Sequence, residues 1–328
     1  MGVKEQIRPL GPSFAQTLAI LTQLTPGQMI PAGVVRSLSN LHPSLVMAMV
    51  PVWVKLENEV KRDVMQALVE LGSSDFETDY TLVGMMALDD EDPEVRRLGI
   101  ELTSFIEERP YMDTLFEIAQ SDTSDDVRAA ALKALGAFVL RCELGTMAEN
   151  ATAAVVDYLL SVLRDHREDS EVRARALESI CYSSHQAVNG EIEQAYHGDD
   201  SRMKTSSIFA MGVSGDDQWA EFILHELERG SAENRFEAAR ASGELMLQEA
   251  VRPLSQLVFG EDSEIVREAV WALGEIGGKE AARVLQALLE QVEGEEEDDD
   301  FIDLIEDALD NANAAAGAAF GFDGPAID

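Results

Sequence analysis

One recurring phrase constrains this chain more than any other feature. From Asp262 to Gly278 the sequence reads DSEIVREAVWALGEIGG: an Asp, an apolar opening, small residues at helical spacing, then Ala-Leu-Gly. Degraded copies open at Asp63, Val95, Val127, Val172, Met203, Asn234 and Ile265, separated by 32, 32, 45, 31, 31 and 31 residues. A period held near 31 is that of a stacked two-helix repeat, in which each unit buries its apolar face only against its neighbours. The 45-residue interval reads as an insertion. It holds a longer first helix, Ala151 to Leu163, and extra loops at 142–150 and 164–169.

Superposing the copies, with the opening residue as position one, shows what the second helix of each pair must bury. Position five is Ala67, Gly99, Ala131, Ala176, Ser207, Ala238 and Ala269, and position eight is also mostly small. Position six is mostly bulky, as in Leu68, Ile100, Leu132, Leu177 and Ile208. These positions share one stripe of a helix, and small residues on it let neighbouring helices approach closely. Position ten is Gly72, Gly136, Gly212, Gly243 and Gly274 in five of the seven copies, which marks a tight contact or an approaching helix end. Acidic loops precede the phrases and supply N-caps and favourable charge at helix starts. The first helices of the pairs are expected over 80–88, 111–120, 189–196, 218–227 and 249–258, with Pro110 and Pro253 in first turns where a missing N–H matters little.

Asp125 to Gly136, DDVRAAALKALG, carries the pattern Asp-x-x-Val-Arg-x-x-Ala-x-x-Ala-Leu-Gly most fully. Asp262 to Gly274 has its Arg one place late, at Arg267. The pattern resembles HEAT repeats, and more narrowly the short HEAT-like repeats of phycobilisome lyases, over about Ser44 to Val292. The resemblance implies an all-α fold, a right-handed α-solenoid of stacked two-helix repeats. It implies little about function, because such repeats host scaffolds, adaptors and a few enzymes.

The ends depart from the repeat. Residues 1–43 are expected to form a helical cap, with Ser13 capping a first helix to Leu24 and a short second helix over Ala32 to Leu41. Ser44 to Leu56 is almost wholly apolar and is expected to be buried, with Pro51 kinking it. The array then occupies 44–293. An acidic amphipathic cap follows at 294–312, and the tail, 313–328, is expected to be disordered.

The balance of 62 acidic against 25 basic residues, a formal charge of −37, is repelled by phosphate backbones and anionic membranes. Nucleic acid is therefore an unfavoured partner, although Arg97, Lys133, Arg240 and Arg267 leave a small opening for DNA of the kind some HEAT-like repair proteins bind. The longest apolar run, Leu45 to Val54, is too short to span a bilayer, and no apolar signal core opens the chain. The expectation is a soluble, cytoplasmic protein.

Reactive constellations are weak. Cys142 and Cys181 lack metal-ligand spacing and read as core or half-core thiols. Repeated His-Glu pairs, which hold di-iron in some HEAT-type enzymes, reduce here to His225-Glu226. Ser201-x-x-Lys204 matches a nucleophile spacing, but it falls where a cap is expected and has no companion motif. The acidic run 293–300 lacks the geometry of a calcium loop. Arg96, Arg128 and Arg173 read as a structural ladder to acidic turns, worth about 0–1 kcal/mol per rung. No catalytic residue, metal or cofactor is expected.

The outward positions three and seven are more informative. Over the last three repeats they place Phe209, Phe236, Arg240, Arg267 and Trp271 on what a HEAT-like stack makes its concave side. Aromatic and Arg side chains gathered on an acidic surface mark an interaction hot spot. The sequence thus points to a noncatalytic scaffold or adaptor binding a protein or peptide. A chromophore- or cofactor-handling enzyme like the lyases is the alternative.

Overall fold

The repeat phrase becomes helix pairs because each copy begins with a capping residue and continues with one apolar stripe. The computed structural model describes residues 12–75, 77–148, 150–292 and 299–318, and all regular structure among them is helical. The chain divides into two compact units, one ending at Phe138 and one beginning at Val139.

The first unit opens with α1 (Phe14–Leu21), where Ser13 and Gln16 form a reciprocal capping box. Then come α2 (Ala32–Ser37), α3 (Pro43–Trp53), α4 (Asn58–Ser74), α5 (Thr81–Ala87), α6 (Pro93–Leu102), α7 (Arg109–Ser121) and α8 (Asp125–Glu143), the last of which crosses into the second unit. Leu21, Val34, Val35, Met49, Trp53, Val64, Leu68, Val83, Val95 and Leu98 form one continuous core shared by α1 to α6. Two expectations need correction. The apolar segment over Ser44 to Leu56 is not buried throughout: α3 turns Val46, Met49 and Trp53 inward and leaves Met47 76% and Val54 61% exposed. The helices that pack on α3, α1 and α5, cover only part of its surface, so its remaining face stays outside whatever its composition. Second, α4 begins at Asn58, ahead of the phrase opening read at Asp63, and its buried face starts with Val60. Asp63 instead accepts a 2.9 Å hydrogen bond from the Gly27 N–H, tying down the Pro/Gly loop before α2.

Charged pins lock these repeats. Lys61 reaches Asp90 at 3.1 Å with both side chains buried, and Trp53 donates its indole N–H to the same carboxylate at 2.8 Å. Arg62 pairs with Asp92, whose carboxyl is held below its usual value by that guanidinium. The expected ladder is present but uneven. Arg96 makes a bidentate pair with Asp122 at 2.8 Å, Arg128 turns back to Asp125 within its own helix at 2.7 Å, and Arg173 lies 4.0 Å from Asp200 in the second unit. The Arg96 pair is only 15% and 9% exposed, deeper than a surface rung. Breaking one side of such a pair strands a charge and costs more than the surface figure.

The second unit adds α9 (Ala153–Arg164), α10 (Ser170–Ile180), α11 (Val188–His197), α12 (Ser201–Val213), α13 (Ala220–Arg229), α14 (Ala232–Glu244), α15 (Val251–Leu257), α16 (Ser263–Ile276), α17 (Gly278–Val292) and α18 (Asp299–Ala318). Short 3-10 turns over Asp217–Trp219 and Gln248–Ala250 lead into α13 and α15. The caps Asp169, Asp200, Ser231 and Asp262 stand 31 residues apart, and each accepts backbone N–H groups of its helix. The second helices α10, α12, α14, α16 and α18 pack each on the next, while α13, α15 and α17 form the adjoining layer. At the end of the array α18 buries Ile305, Ala308 and Ala312, packing on α16 and α17. It runs on to Ala318, past the segment expected to be helical. Residues 293–298 of the acidic run and the tail 319–328 lie outside the described residues.

Positions eight and ten prove to be two halves of one contact. A Cβ on Gly212 would lie 2.7 Å from the Cα of Ala241, one on Gly243 2.9 Å from the Cα of Ala272, and one on Gly274 2.9 Å from the Cα of Ala308. These are backbone atoms and cannot step aside. Gly212→Ala is therefore expected to cost about 1–3 kcal/mol through overpacking. Gly190→Ala, on α11 with nothing within 4 Å of the new methyl, is expected to raise stability by about 0.5–1 kcal/mol. Urea midpoints of the two variants check the contrast.

Candidate interaction face

The caps and the Gly–Ala contacts set the phase of α12, α14 and α16, and with it the direction of every outward side chain. Phe209, Arg240 and Trp271 hold position seven on these three helices and are all half-buried. The Arg240 guanidinium lies over the Phe209 ring, 4.6 Å from its centroid, and pairs with Glu244 at 3.1 Å. The Trp271 ring lies on α14 at Gly243, where a Cβ would come within 2.6 Å of its Cζ3. Only glycine leaves room for the indole there. Phe236, one turn before Arg240, is half-buried on the same side of α14. Arg267 is drawn to the end of the array, its guanidinium 5.1 Å from the Phe301 ring centroid. Of the five residues expected from the sequence, the geometry thus brings three into one row, leaves Phe236 beside them, and engages Arg267 with the terminal cap.

Sequence reasoning passed over the carboxyls of this face. Glu237 on α14 and Glu268 on α16 occupy position four, Glu244 occupies position eleven, and Glu178 is the position-seven residue of α10. Burial pushes the Glu237 carboxyl up to about 7; Arg240 opposes the shift, while Glu178, Glu268 and Glu244 reinforce it. Burial also raises Glu244 and Glu268, again against Arg240. The Oε2 atom of Glu237 is buried and has no hydrogen-bond partner among the described residues. Glu178, by contrast, accepts from Ser206 at 2.6 Å, Arg202 at 3.0 Å and Arg175 at 2.6 Å. One signal could have found these groups. Position four reads Gln66, Leu98, Ala130, Arg175, Ser206, Glu237 and Glu268, and is acidic only in the two repeats that carry Arg240 and Trp271.

The sites with apparent chemistry resolve into structure. Glu226 is buried and accepts from the Tyr196 hydroxyl at 2.7 Å, the Lys204 ammonium at 2.8 Å and Asn234 at 3.0 Å, while its neighbour His225 is exposed. Lys204 is thereby committed to Glu226 and to the Tyr196 ring below it, and Ser201 opens α12 at an exposed position. Cys181 is buried, and that burial raises its thiol far above the ordinary range, away from the thiolate that nucleophilic chemistry requires.

A family model described as HEAT repeats matches residues 82–181 and 220–305, more than half of the chain. No curated protein matches. Among solved structures, the complex of CpcE and CpcF of phycocyanin lyase from Nostoc is similar at 16% identity and a TM-score of 0.49, covering 88% of this chain and 98% of that one. Yeast importin-beta is similar at 14% identity and 0.45, covering 92% of this chain and 46% of that one. Human deoxyhypusine hydroxylase is similar at 17% identity and 0.35, covering 92% and 97%.

The raised Glu237 carboxyl has a stability consequence of definite sign. Its folded value, about 7, lies above its ordinary 4.5, so protonation favours folding. That contribution is complete below the ordinary value and is lost as pH rises through about 7. Glu237→Gln keeps the shape without the charge. It is expected to match the parent at about pH 4 and to exceed it by on the order of 2 kcal/mol at about pH 8.5. Urea denaturation at the two pH values measures this, and an unchanged difference between them contradicts it.

Proposed function

The chain belongs to the HEAT-repeat family, and on that premise we propose that it is a noncatalytic interaction scaffold whose partner, a protein or peptide, docks on the face of α12, α14 and α16. The observation that carries this reading is the row of Phe209, Arg240 and Trp271, set in register by the repeat and left half-exposed. The contacts these three side chains make within the chain leave part of each at the surface, and binding energy concentrates on such aromatic and Arg anchors. Glycine at position 243 supports the same reading, because it seats the Trp271 indole firmly before any partner arrives.

Charge narrows the partner class. The carboxyls of Glu237, Glu244 and Glu268 around Arg240 oppose a phosphate backbone, and the whole chain carries −37. Arg97, one of the residues that left DNA in view, pairs with Glu94 at 2.8 Å and Glu101 at 3.1 Å within its own helix. Among the described residues no helix is long and apolar enough to cross a membrane.

The double variant Trp271→Ala, Arg240→Ala is expected to lose a partner that copurifies with the wild-type chain, while its far-ultraviolet circular dichroism keeps the helical signature. Quantitative mass spectrometry of the two eluates makes the comparison. Retention of the same partners at the same levels by the folded double variant moves the docking site elsewhere.

A further inference from the structure

The docking face has an internal precedent for what it binds. Arg240 lies on the Phe209 ring with Glu244 beside it, an arrangement in which a flat cation meets an aromatic face and a carboxylate together. The Gly–Ala contacts make Ala241, Ala272 and Ala308 equivalent across α14, α16 and α18. The residues one place earlier are therefore equivalent too: Arg240, Trp271 and Asp307. Along the face the row reads ring, cation, ring, carboxylate. Phe209 receives its cation from the next repeat, whereas the place that would supply one to Trp271 holds an exposed Asp.

Resting on the reading of this face as a docking site, we infer that the partner segment is basic and that one of its arginines lies on Trp271, its guanidinium drawn to the carboxyls of Glu237 and Glu268. Charge complementarity argues for this occupant. The groups that act on Glu237 are Arg240 and Glu244 on its own helix, Glu178 on α10 and Glu268 on α16, so carboxyls outnumber the one cation among them. On α12, Ser206 is spent on Glu178, and Arg202 on Glu171 and Glu178. Glu237 also has a buried oxygen that accepts no hydrogen bond from the described residues. A guanidinium supplies five donors in a fixed plane that suits both a carboxylate and an indole face, which a lysine ammonium does not. A phosphorylated or acidic segment would add like charge to this row. Among the described residues no group of His, Cys, Asp and Glu is arranged to hold a metal ion, so an organic cation is the better match.

The probe is the acetylated, amidated peptide GRGRGRG, with GKGKGKG as its lysine counterpart. Trp53 and Trp219 are only 2% and 3% exposed, so a change in tryptophan fluorescence reports on Trp271. The arginine peptide is expected to shift that fluorescence and to bind at least about five-fold more tightly than the lysine peptide. Glu237→Gln with Glu268→Gln is expected to weaken it at least about ten-fold. Glu261→Gln with Glu264→Gln, the same charge change at exposed positions near the start of α16, should weaken it less than about two-fold. Because the incoming cation favours the ionised form of Glu237, calorimetry near neutral pH in buffers of different ionisation heat should register proton release, and Glu237→Gln should abolish it. Equal weakening by the two double variants, or binding without a Trp271 signal, overturns the inference. If the copurifying partner depends on Trp271 and Arg240 but saturating arginine peptide does not displace it, the docking face stands and the arginine chemistry falls.

Discussion

Backbone laid against backbone at the Gly–Ala contacts is the constraint on which the second unit depends. Gly212 on Ala241, Gly243 on Ala272 and Gly274 on Ala308 bring successive second helices closer than any larger side chain would permit. Each contact involves little surface, so no single one stabilises the unit much. Their effect is additive along the stack, as in any array whose units touch only their neighbours. The contact also sets rotation as well as distance. Once the glycine and the alanine meet, position six must point inward and position seven outward.

Buried charge distinguishes the structural contacts from the candidate site. Lys61 with Asp90, Arg96 with Asp122, and Glu226 with Tyr196, Lys204 and Asn234 are buried polar groups with their partners in place. Such networks fix one register among several that apolar packing alone would tolerate. Glu237 breaks this rule, being desolvated, close to Glu178, Glu244 and Glu268, and holding a buried oxygen without a donor. This carboxyl oxygen is left unmatched among the described residues, on the same face as the row of aromatic residues.

Helix pairing, caps and the terminal amphipathic helix were legible in the residues because they depend on local chemistry: Asp before an apolar opening, small residues at helical spacing, Pro in first turns. The aromatic row was legible in part, since Phe209, Arg240 and Trp271 share a column once the copies are superposed. Arg267 stands in the neighbouring column but is taken up by Phe301, thirty-four residues away on α18, a contact no repeat period announces. The exposure of Met47 and Val54 was hidden for a related reason. Hydropathy describes a segment, whereas burial depends on whether a neighbour exists on that side.

By itself the sequence determined the class of fold, the period of the stack and the residues that would line its seams, because a 31-residue phrase with small residues at fixed positions has few ways to bury its apolar stripe. What it could not determine was the environment of any outward group. Whether Glu237 is a solvated surface acid or a strained one depends on the distance to α10 and α16, and whether Trp271 is loose or seated depends on a missing Cβ on the preceding repeat. Those are properties of the packed stack. Desolvation and ring contact act through space between residues that the chain brings together only on folding.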